Sequence, residues 1–471
     1  MPVLYVDLDK TLIRTDSLVE NFLILARRSP IKALLALLCL LEGRAAFKRR
    51  LAEAVALDAA LLPYNEHVVS LMRGWRDRGG QVVLASAAHE TIVTGVAEHL
   101  GGFAGTLATT ARGPNLKGKQ KLDAIKAHSK GEAFAYCGDS LADLPILAAA
   151  TDRFVVVGSS RLPGLLHREQ LAFTTVSNDR VDARLILKQL RVHQWLKNVL
   201  IFLPLLAAHR WSDTDALLAC IGGFIAFGLV ASATYILNDL LDLDSDRKHA
   251  RKRLRPMASG RLAIGHGVTL CVATFVAGMM LGEWVHPQLS AWLLGYVALT
   301  VAYSTVLKAY AVIDVLVLAG LYSYRVLAGG AIVSVQVSSW MIGVCMALFF
   351  SLALVKRLSE LRRSTATGQG WLAGRGYRKD DWPVLMALGA ASSVSAVVLI
   401  ALYIESTQAA GMYSEPQRLW LVCPLVLYWL SRIWLKTSRG EMTDDPLVFT
   451  IKDRGSLVPL ALVAALFAWA L

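Results

Sequence analysis

Three things are scarce in this sequence, and each shortage removes a class of function. Its six cysteines, at positions 39, 137, 220, 271, 345 and 423, form no CxxC pair. That argues against a disulfide framework and against a structural zinc site. The opening residues, Met1-Pro-Val-Leu-Tyr-Val-Asp7, lack the basic stretch and cleavage site of a signal peptide, so the first domain is expected to stay in the cytoplasm. No basic, aromatic-interleaved soluble patch accompanies the net charge of +13, and a nucleic-acid partner is therefore disfavoured.

What the chain has in excess is apolar sequence. Of its 471 residues, 55% are hydrophobic, and the mean hydropathy is +0.48, well above a soluble average. The excess is uneven. Residues 1–190 read as a water-soluble domain, whereas apolar runs recur from about Trp195 to the last residue. Runs near 196–208, 216–238, 264–282, 288–306, 312–331, 338–355, 384–404, 418–435 and 457–471 predict about nine membrane spans. With the N-terminus inside, the loops expected inside are 239–263, 307–311, 356–383 and 436–456, and they carry the Lys and Arg residues. The intervening loops carry almost none, which satisfies the positive-inside rule and puts the C-terminus outside. The tryptophans at 284, 340, 420, 429 and 434 lie near span ends and read as interfacial anchors.

The N-terminal part alternates strands with helices. Strands are expected at 3–9, 81–86, 133–139 and 153–158, and mostly helical sequence over 17–78 and 117–128. This order implies a parallel α/β sheet, with a polar linker over 176–190. The first strand ends in Asp7-Leu-Asp9-Lys-Thr11. One carboxylate of such a pair can attack phosphorus while the other moves protons. Ser86 closes the second strand, Lys117 precedes a helix, and Gly138-Asp139-Ser140-Leu-Ala-Asp143 follows the third.

Four motifs in this order resemble the haloacid dehalogenase-like (HAD) phosphatases over about residues 1–175. The resemblance implies a Rossmann-like α/β domain with Asp7 as nucleophile and Asp9 as acid and base. It implies Ser86 and Lys117 as phosphate binders, and Asp7, Asp9, Asp139 and Asp143 as the Mg²⁺ side. Lys119 and Lys121 are rivals for the lysine role, and Lys117 fits best because it directly precedes Gly118. The family's substrate-selecting cap would be residues 17–78. Within it, IKALLALLCLLEG lies between Arg27-Arg28 and Lys48-Arg49-Arg50. Too short to span a bilayer, this segment reads either as a buried cap helix or as an interfacial one.

The second span runs into Asn238-Asp239-Leu-Leu-Asp242-Leu-Asp244-Ser-Asp246. On a helix Asn238, Asp239, Asp242 and Asp246 share a face, and Asp244 points elsewhere. Carboxylates clustered near a bilayer need compensation, and Mg²⁺ supplies it while bridging to phosphate oxygens. The motif and its position resemble the UbiA-type polyprenyl transferase superfamily over about 188–471, implying an all-α polytopic membrane bundle. Most members carry a second acidic motif, DxxxD, and transfer a prenyl group. Here Asp314 is followed four residues later by Leu318. Arg191-Val-His-Gln-Trp-Leu-Lys197-Asn198, Tyr303, Lys308, Asp314, Arg325-Val-Leu-Ala-Gly-Gly330, Lys356-Arg357-Leu-Ser-Glu360 and Asp445-Pro446 with Asp453 resemble the decaprenyl-phosphate phosphoribosyltransferase branch.

That branch implies transfer from phosphoribosyl pyrophosphate (PRPP) to a polyprenyl phosphate in the inner membrane. The metal side would be Asn238, Asp239, Asp242 and Asp246, with Asp239 and Asp242 gripping the departing pyrophosphate. Lys197, Asn198, Asn238, Arg255, Tyr303, Lys308, Asp314, Arg325 and Lys356 would bind substrate. Arg325, inside a span, should find a phosphate or Asp314 as its partner. The alternative is prenyl transfer from a prenyl diphosphate, with the N-terminal domain regulatory or unrelated. An oligomer is compatible with either reading.

Overall fold

In the computed structural model, residues 1–39, 41, 43–110, 113–157, 161–178, 181–366, 371–372, 374–442 and 445–471 are described. Gly158 of the fourth expected strand, residues 179–180 of the expected linker and residues 367–370 and 373 of a basic loop lie outside them. Contacts divide the chain into two compact units, residues 1–190 with 235–272, and residues 191–234 with 273–471. The stretch 235–272, which carries the acidic motif, packs with the N-terminal sequence.

The first unit is built on six parallel strands: β1 (Val3–Val6), β2 (Val82–His89), β3 (Gly105–Thr109), β4 (Phe134–Gly138), β5 (Asp152–Val157) and β6 (Thr174–Asn178). Their order is β3-β2-β1-β4-β5-β6. The strand order reverses at β1, so the carboxyl ends of β1, β2 and β4 frame the crevice where such folds bind ligands. The apolar runs VLYV, VVLA and FAYC are buried on both faces, as parallel strands require. Strands β3 and β6 escape the sequence reading because GTLAT and TTVSN are short and threonine-rich at the sheet edges.

Four helices lie between β1 and β2: α1 (Ser17–Arg28), α2 (Pro30–Leu38), α3 (Arg44–Ala54) and α4 (Glu66–Asp77). Leu25, Ala33, Ala36, Phe47, Leu51 and Val55 form a small core joining α1, α2 and α3. This is narrower than the cap expected over 17–78. Val68, Val69, Met72 and Trp75 of α4 instead join Leu4, Val6 and Leu84 in the sheet core, so α4 is a layer of the sheet. Helices α5 (Glu90–Leu100), α6 (Lys119–His128), α7 (Leu144–Ala149) and α8 (Leu162–Arg168) complete the crossovers. Residues read as a linker hold the end of β6 and α9 (Ala183–Leu190).

The rest is helical. After α10 (Leu203–Ala207) come α11 (Thr214–Leu241), α12 (Leu243–Lys248), α13 (Ile264–Val285), α14 (Leu289–Thr305), α15 (Ile313–Ile332), α16 (Ser339–Ala366), α17 (Trp382–Ile404) and α18 (Thr407–Met412). Helices α19 (Val422–Arg439), α20 (Pro446–Lys452) and α21 (Arg454–Ala470) end the chain. Among the described residues, six helical segments, containing α11, α13, α15, α16, α17 and α19, are long and apolar enough to cross a membrane. The pair α20–α21, bent by 87°, makes a seventh if counted as one span. Val192–Ala207 and α14 are shorter apolar helices. The chain is thus a multi-pass membrane protein.

In the second unit, a Cβ at Gly329 would meet the Ile201 carbonyl oxygen at 2.2 Å. Glycine there lets the 3-10 segment Val192–Phe202 lie directly on α15, the small-residue contact common in membrane helices. Two of the expected interfacial tryptophans are buried instead. Trp434 donates to Ser351 Oγ at 2.9 Å and Ser393 Oγ at 3.0 Å, and Trp429 lies in the helical core.

Candidate functional sites

The α/β crevice gathers the first set. Asp7 follows β1, its N–H still donating to the Cys137 carbonyl of the neighbouring strand at 3.0 Å. Its Oδ1 accepts from Leu8 N–H at 2.9 Å and faces Lys121 Nζ at 3.0 Å. Lys10 takes a left-handed conformation, φ +60°, turning the chain so that Asp9 Oδ1 accepts from Ser17 N–H at 2.8 Å. Thus Asp9 caps the entry into the helical cap. Ser86, buried in β2, accepts from Ala88 N–H at 3.1 Å. Asp139 beyond β4 accepts from Thr11 Oγ1 at 3.3 Å.

One carboxylate oxygen each from Asp7, Asp139 and Asp143 lies within 4.8 Å of the others, a grouping able to hold a metal ion. Asp143 accepts from Tyr136 OH at 2.8 Å, Ser140 Oγ at 2.7 Å and Lys121 at 3.2 Å. Burial works against its charged form, but Lys121 and these hydrogen bonds outweigh burial and hold the carboxyl below its ordinary range. At the others burial wins. Burial, with Asp7 and Asp143 nearby, pushes Asp139 up to about 8. Burial, with Asp16 adding repulsion, pushes Asp9 up to about 7. Asp7 rises to about 6, chiefly from burial, with Lys121 opposing the rise. Asp7 and Asp143 share the Lys121 ammonium and Asp139 adds a third carboxyl, a set of hard oxygens that a divalent cation fits.

The lysine of this site is Lys121, not Lys117. Helix α6 begins after Gly118, which has φ +60°. The third helical position, Lys121, turns inward one turn before the buried Ile125. Its Nζ reaches Asp7, Asp143 and Tyr136 OH, the last at 3.0 Å. Lys117 is exposed before the helix starts, whereas helix phase carries Lys121 to the carboxylates.

The acidic motif forms the second set. Helix α11 ends at Leu241 and α12 starts at Leu243, with i to i−4 backbone bonds continuing from Asp242 to Asn238 and from Asp246 to Asp242. Asp239, Asp242 and Asp246 are buried. Arg255 bridges Asp239 at 3.0 Å and Asp246 at 2.5 Å. Gln189 of α9 donates to the other oxygen of Asp239 at 3.1 Å. Asp242 accepts from Asn238 at 2.9 Å and pairs with Arg27 at the end of α1. Asp246 Oδ1 is buried without a hydrogen bond, facing Lys252 Nζ at 3.9 Å. Among the described residues, Asp239, Asp242 and Asp246 do not bring three ligand oxygens as close together as Asp7, Asp139 and Asp143 do; the buried Asp246 Oδ1 without a hydrogen bond is the atom here that a hard cation such as Mg²⁺ suits. Asp244 pairs instead with Lys248 on the exposed side, at 3.0 Å.

Two further contacts tie this segment to the cap. Arg247 makes a buried two-pronged pair with Glu20 of α1, at 2.7 and 2.6 Å. Leu23 packs against a cluster of Leu185, Ile236, Leu240, Leu243, Met257, Leu262 and Ile264. Neither Arg27 nor Glu20 was expected at the acidic motif, because more than two hundred positions separate them from it.

The second unit holds the other expected residues in three groups. Lys197 and Lys356 converge on Asp445 Oδ2, at 3.0 and 3.3 Å. Although burial opposes ionisation of Asp445, the two ammonium groups hold its carboxyl well below the usual range. Arg325 is buried and donates to Asn198 Oδ1 at 2.9 Å, to Tyr296 OH at 3.1 Å and to the Leu321 carbonyl. Its expected partner Asp314 is engaged elsewhere. Asp314, fully buried, accepts from Tyr303 OH at 2.7 Å and from Arg375 at 2.7 Å, and pairs with Arg357. Arg357 also meets Glu360 at 2.5 Å. Lys308 lies half-buried on the 3-10 turn Leu307–Ala309, which precedes α15. Sequence reasoning did not single out Arg375, and it quoted Arg357 and Asp445 within motifs without giving either a role. Arg357 sits beside Lys356 in a quoted motif, which was the available signal.

Fold, acidic motif and membrane helices now have a common explanation. Residues 199–452 match the UbiA prenyltransferase family, and residues 4–148 match the haloacid dehalogenase-like hydrolases. The chain belongs to the UbiA prenyltransferase family and carries a HAD-like domain in front, which makes it a membrane transferase with a hydrolase-type partner domain. It is 37% identical over 468 residues to protein y4nM of Sinorhizobium fredii, covering 99% of this chain and 90% of that one. It is 34% identical over 271 residues to the nodulation protein NoeC of Azorhizobium caulinodans, covering 57% of this chain and 87% of that protein. The decaprenyl-phosphate phosphoribosyltransferase of Mycobacterium tuberculosis is 35% identical over 190 residues, 39% of this chain and 62% of that enzyme.

Proposed function

We propose that the membrane domain, residues 191–471, transfers the 5-phosphoribosyl group of PRPP to a polyprenyl phosphate. The bond between ribose C1 and the pyrophosphate oxygen breaks, and a bond from C1 to a lipid phosphate oxygen forms. Pyrophosphate leaves. The observation that carries this reading is the engagement of Asp314 by Arg357 and Arg375, with Leu318 in place of a second carboxylate. One acidic motif then serves one diphosphate, and the other end of the reaction is served by cations. Similarity to the mycobacterial enzyme supports it.

Mg²⁺ held by Asn238, Asp239, Asp242 and Asp246 would supply charge neutralisation to the pyrophosphate. Arg255 orients Asp239 and Asp246. Lys197 and Lys356 offer ammonium groups to a phosphate that competes with Asp445. Arg325 holds Asn198, and Tyr303 steadies Asp314. Arg255, Lys308 and Arg325 complete the substrate-binding cations. The attacking phosphate is already anionic, so positioning and charge stabilisation suffice without a strong base. Labelled PRPP, incubated with the reconstituted protein and a polyprenyl phosphate, should yield a labelled lipid and pyrophosphate. Label remaining in water, with turnover of a prenyl diphosphate, would reverse the assignment to prenyl transfer.

In the HAD domain, residues 1–175, we assign Asp7 as nucleophile, Asp9 as acid and base, and Ser86 with Lys121 as phosphoryl binders. Asp7, Asp139 and Asp143 would hold Mg²⁺. Its substrate is the ribose 5-phosphate of the transferase product, leaving polyprenyl-phosphoryl ribose. Asp7→Asn should make the 5-phosphorylated lipid accumulate, and an unchanged product would refute the relay. The protein lies in the inner membrane with the HAD domain cytoplasmic. Nine spans result if the two shorter apolar helices and the bent pair all cross.

A further inference from the structure

Helix α2 carries an apolar face that nothing in its own unit covers. Ile31, Leu34, Leu35 and Leu38 are 74%, 65%, 54% and 58% exposed, and they recur at the spacing of one helical face. Leu41, just beyond, is 88% exposed. The opposite face is satisfied, since Ala33 and Ala36 are buried in the cap core. Soluble surfaces scatter such side chains singly, and a contiguous group of this size marks an interface.

Charge and position identify what lies against it. Exposed Arg27, Arg28, Lys32, Arg49 and Arg50 surround the apolar face. Leu35 and Cys39 form a groove with Ala46, Arg49, Arg50 and Glu53 of α3, so that apolar and cationic lining adjoin. Helix α2 also starts at a defined place. Arg27, three residues before Pro30, pairs with Asp242 and donates to the Leu241 carbonyl at 3.4 Å. Leu241 is the last residue of a membrane-spanning helix. The start of α2 is thereby tied to the end of α11. A helix with leucines on one face and flanking Arg and Lys is the form that lies in the headgroup layer of a bilayer.

We propose that α2 is an interfacial helix that seats the HAD cap in the headgroup layer of an anionic bilayer. The phosphatase site then works on phosphomonoesters borne by lipid in that bilayer. The second statement rests on the phosphatase assignment above, and the first does not.

The full-length protein in nanodiscs of phosphatidylcholine and phosphatidylglycerol tests both. With p-benzoylphenylalanine replacing Leu34, irradiation should give phospholipid adducts. Adducts only to protein, from a second copy or from another segment, or no adduct at all, would overturn the seating. A combined Ile31→Gln, Leu34→Gln, Leu35→Gln and Leu38→Gln variant leaves the cap core intact. It should lower hydrolysis of a bilayer-borne phosphomonoester by about tenfold or more, with p-nitrophenyl phosphate hydrolysis unchanged. Equal loss on both substrates, or on neither, would overturn the lipid preference. Wild-type protein inert toward p-nitrophenyl phosphate would refute the phosphatase assignment, while the adducts still decide the seating.

Discussion

The two acidic sites handle the same problem in different ways. At the ends of β1 and β4, carboxylates converge within 4.8 Å of one another around a single lysine. At the end of α11, the carboxylates meet arginines, Arg255 shared by Asp239 and Asp246, and Arg27 on Asp242. The first arrangement fixes a set of hard oxygens in place, ready for a cation. The second is nearly neutralised by arginines, whose forks also match phosphate oxygens. The comparison teaches that a carboxylate motif alone does not reveal how charge is balanced before substrate binds.

The largest effect should come from Asp7→Asn, which removes the attacking group and lowers phosphomonoester hydrolysis by about 10⁴-fold. Lipid labelling from PRPP should persist, and loss of both activities would erase the distinction between the sites. Next, Asp239→Asn should reduce lipid labelling by about 10³-fold, with p-nitrophenyl phosphate turnover retained. Third, Lys121→Ala should lower phosphomonoester hydrolysis by about 10²-fold, while Lys117→Ala changes it by less than about twofold. The reverse order would restore the sequence-based choice of lysine. Smallest is Gly329→Ala, expected to destabilise the membrane unit by about 1–3 kcal/mol. It should appear as a lower thermal unfolding temperature and weaker lipid labelling, with the HAD activity intact.

Much of the α/β site was legible because its signals are local. Asp7 and Asp9 are two apart after an apolar run, and Asp139 and Asp143 follow another. The choice between Lys117 and Lys121 needed the starting residue of α6, which four polar residues around Gly118 leave ambiguous. The cap boundary failed for a related reason. Both α3 and α4 are helical, but only α4 has the apolar face that the sheet core accepts. In the membrane domain, Asp314 and Arg325 looked like natural partners within one span. The structure pairs Asp314 with Arg357 and Arg375, brought from α16 and the loop after it.

The sequence by itself determined that the chain is a multi-pass membrane enzyme with two acidic motifs and a phosphatase-type front domain. Hydropathy, strand length and carboxylate spacing act over a few residues, so they are readable without folding. Only the tertiary structure decided which cation meets each carboxylate and which face of α2 stays uncovered. Ion pairs such as Arg247 with Glu20 depend on where distant helices pack, and no local periodicity encodes that choice.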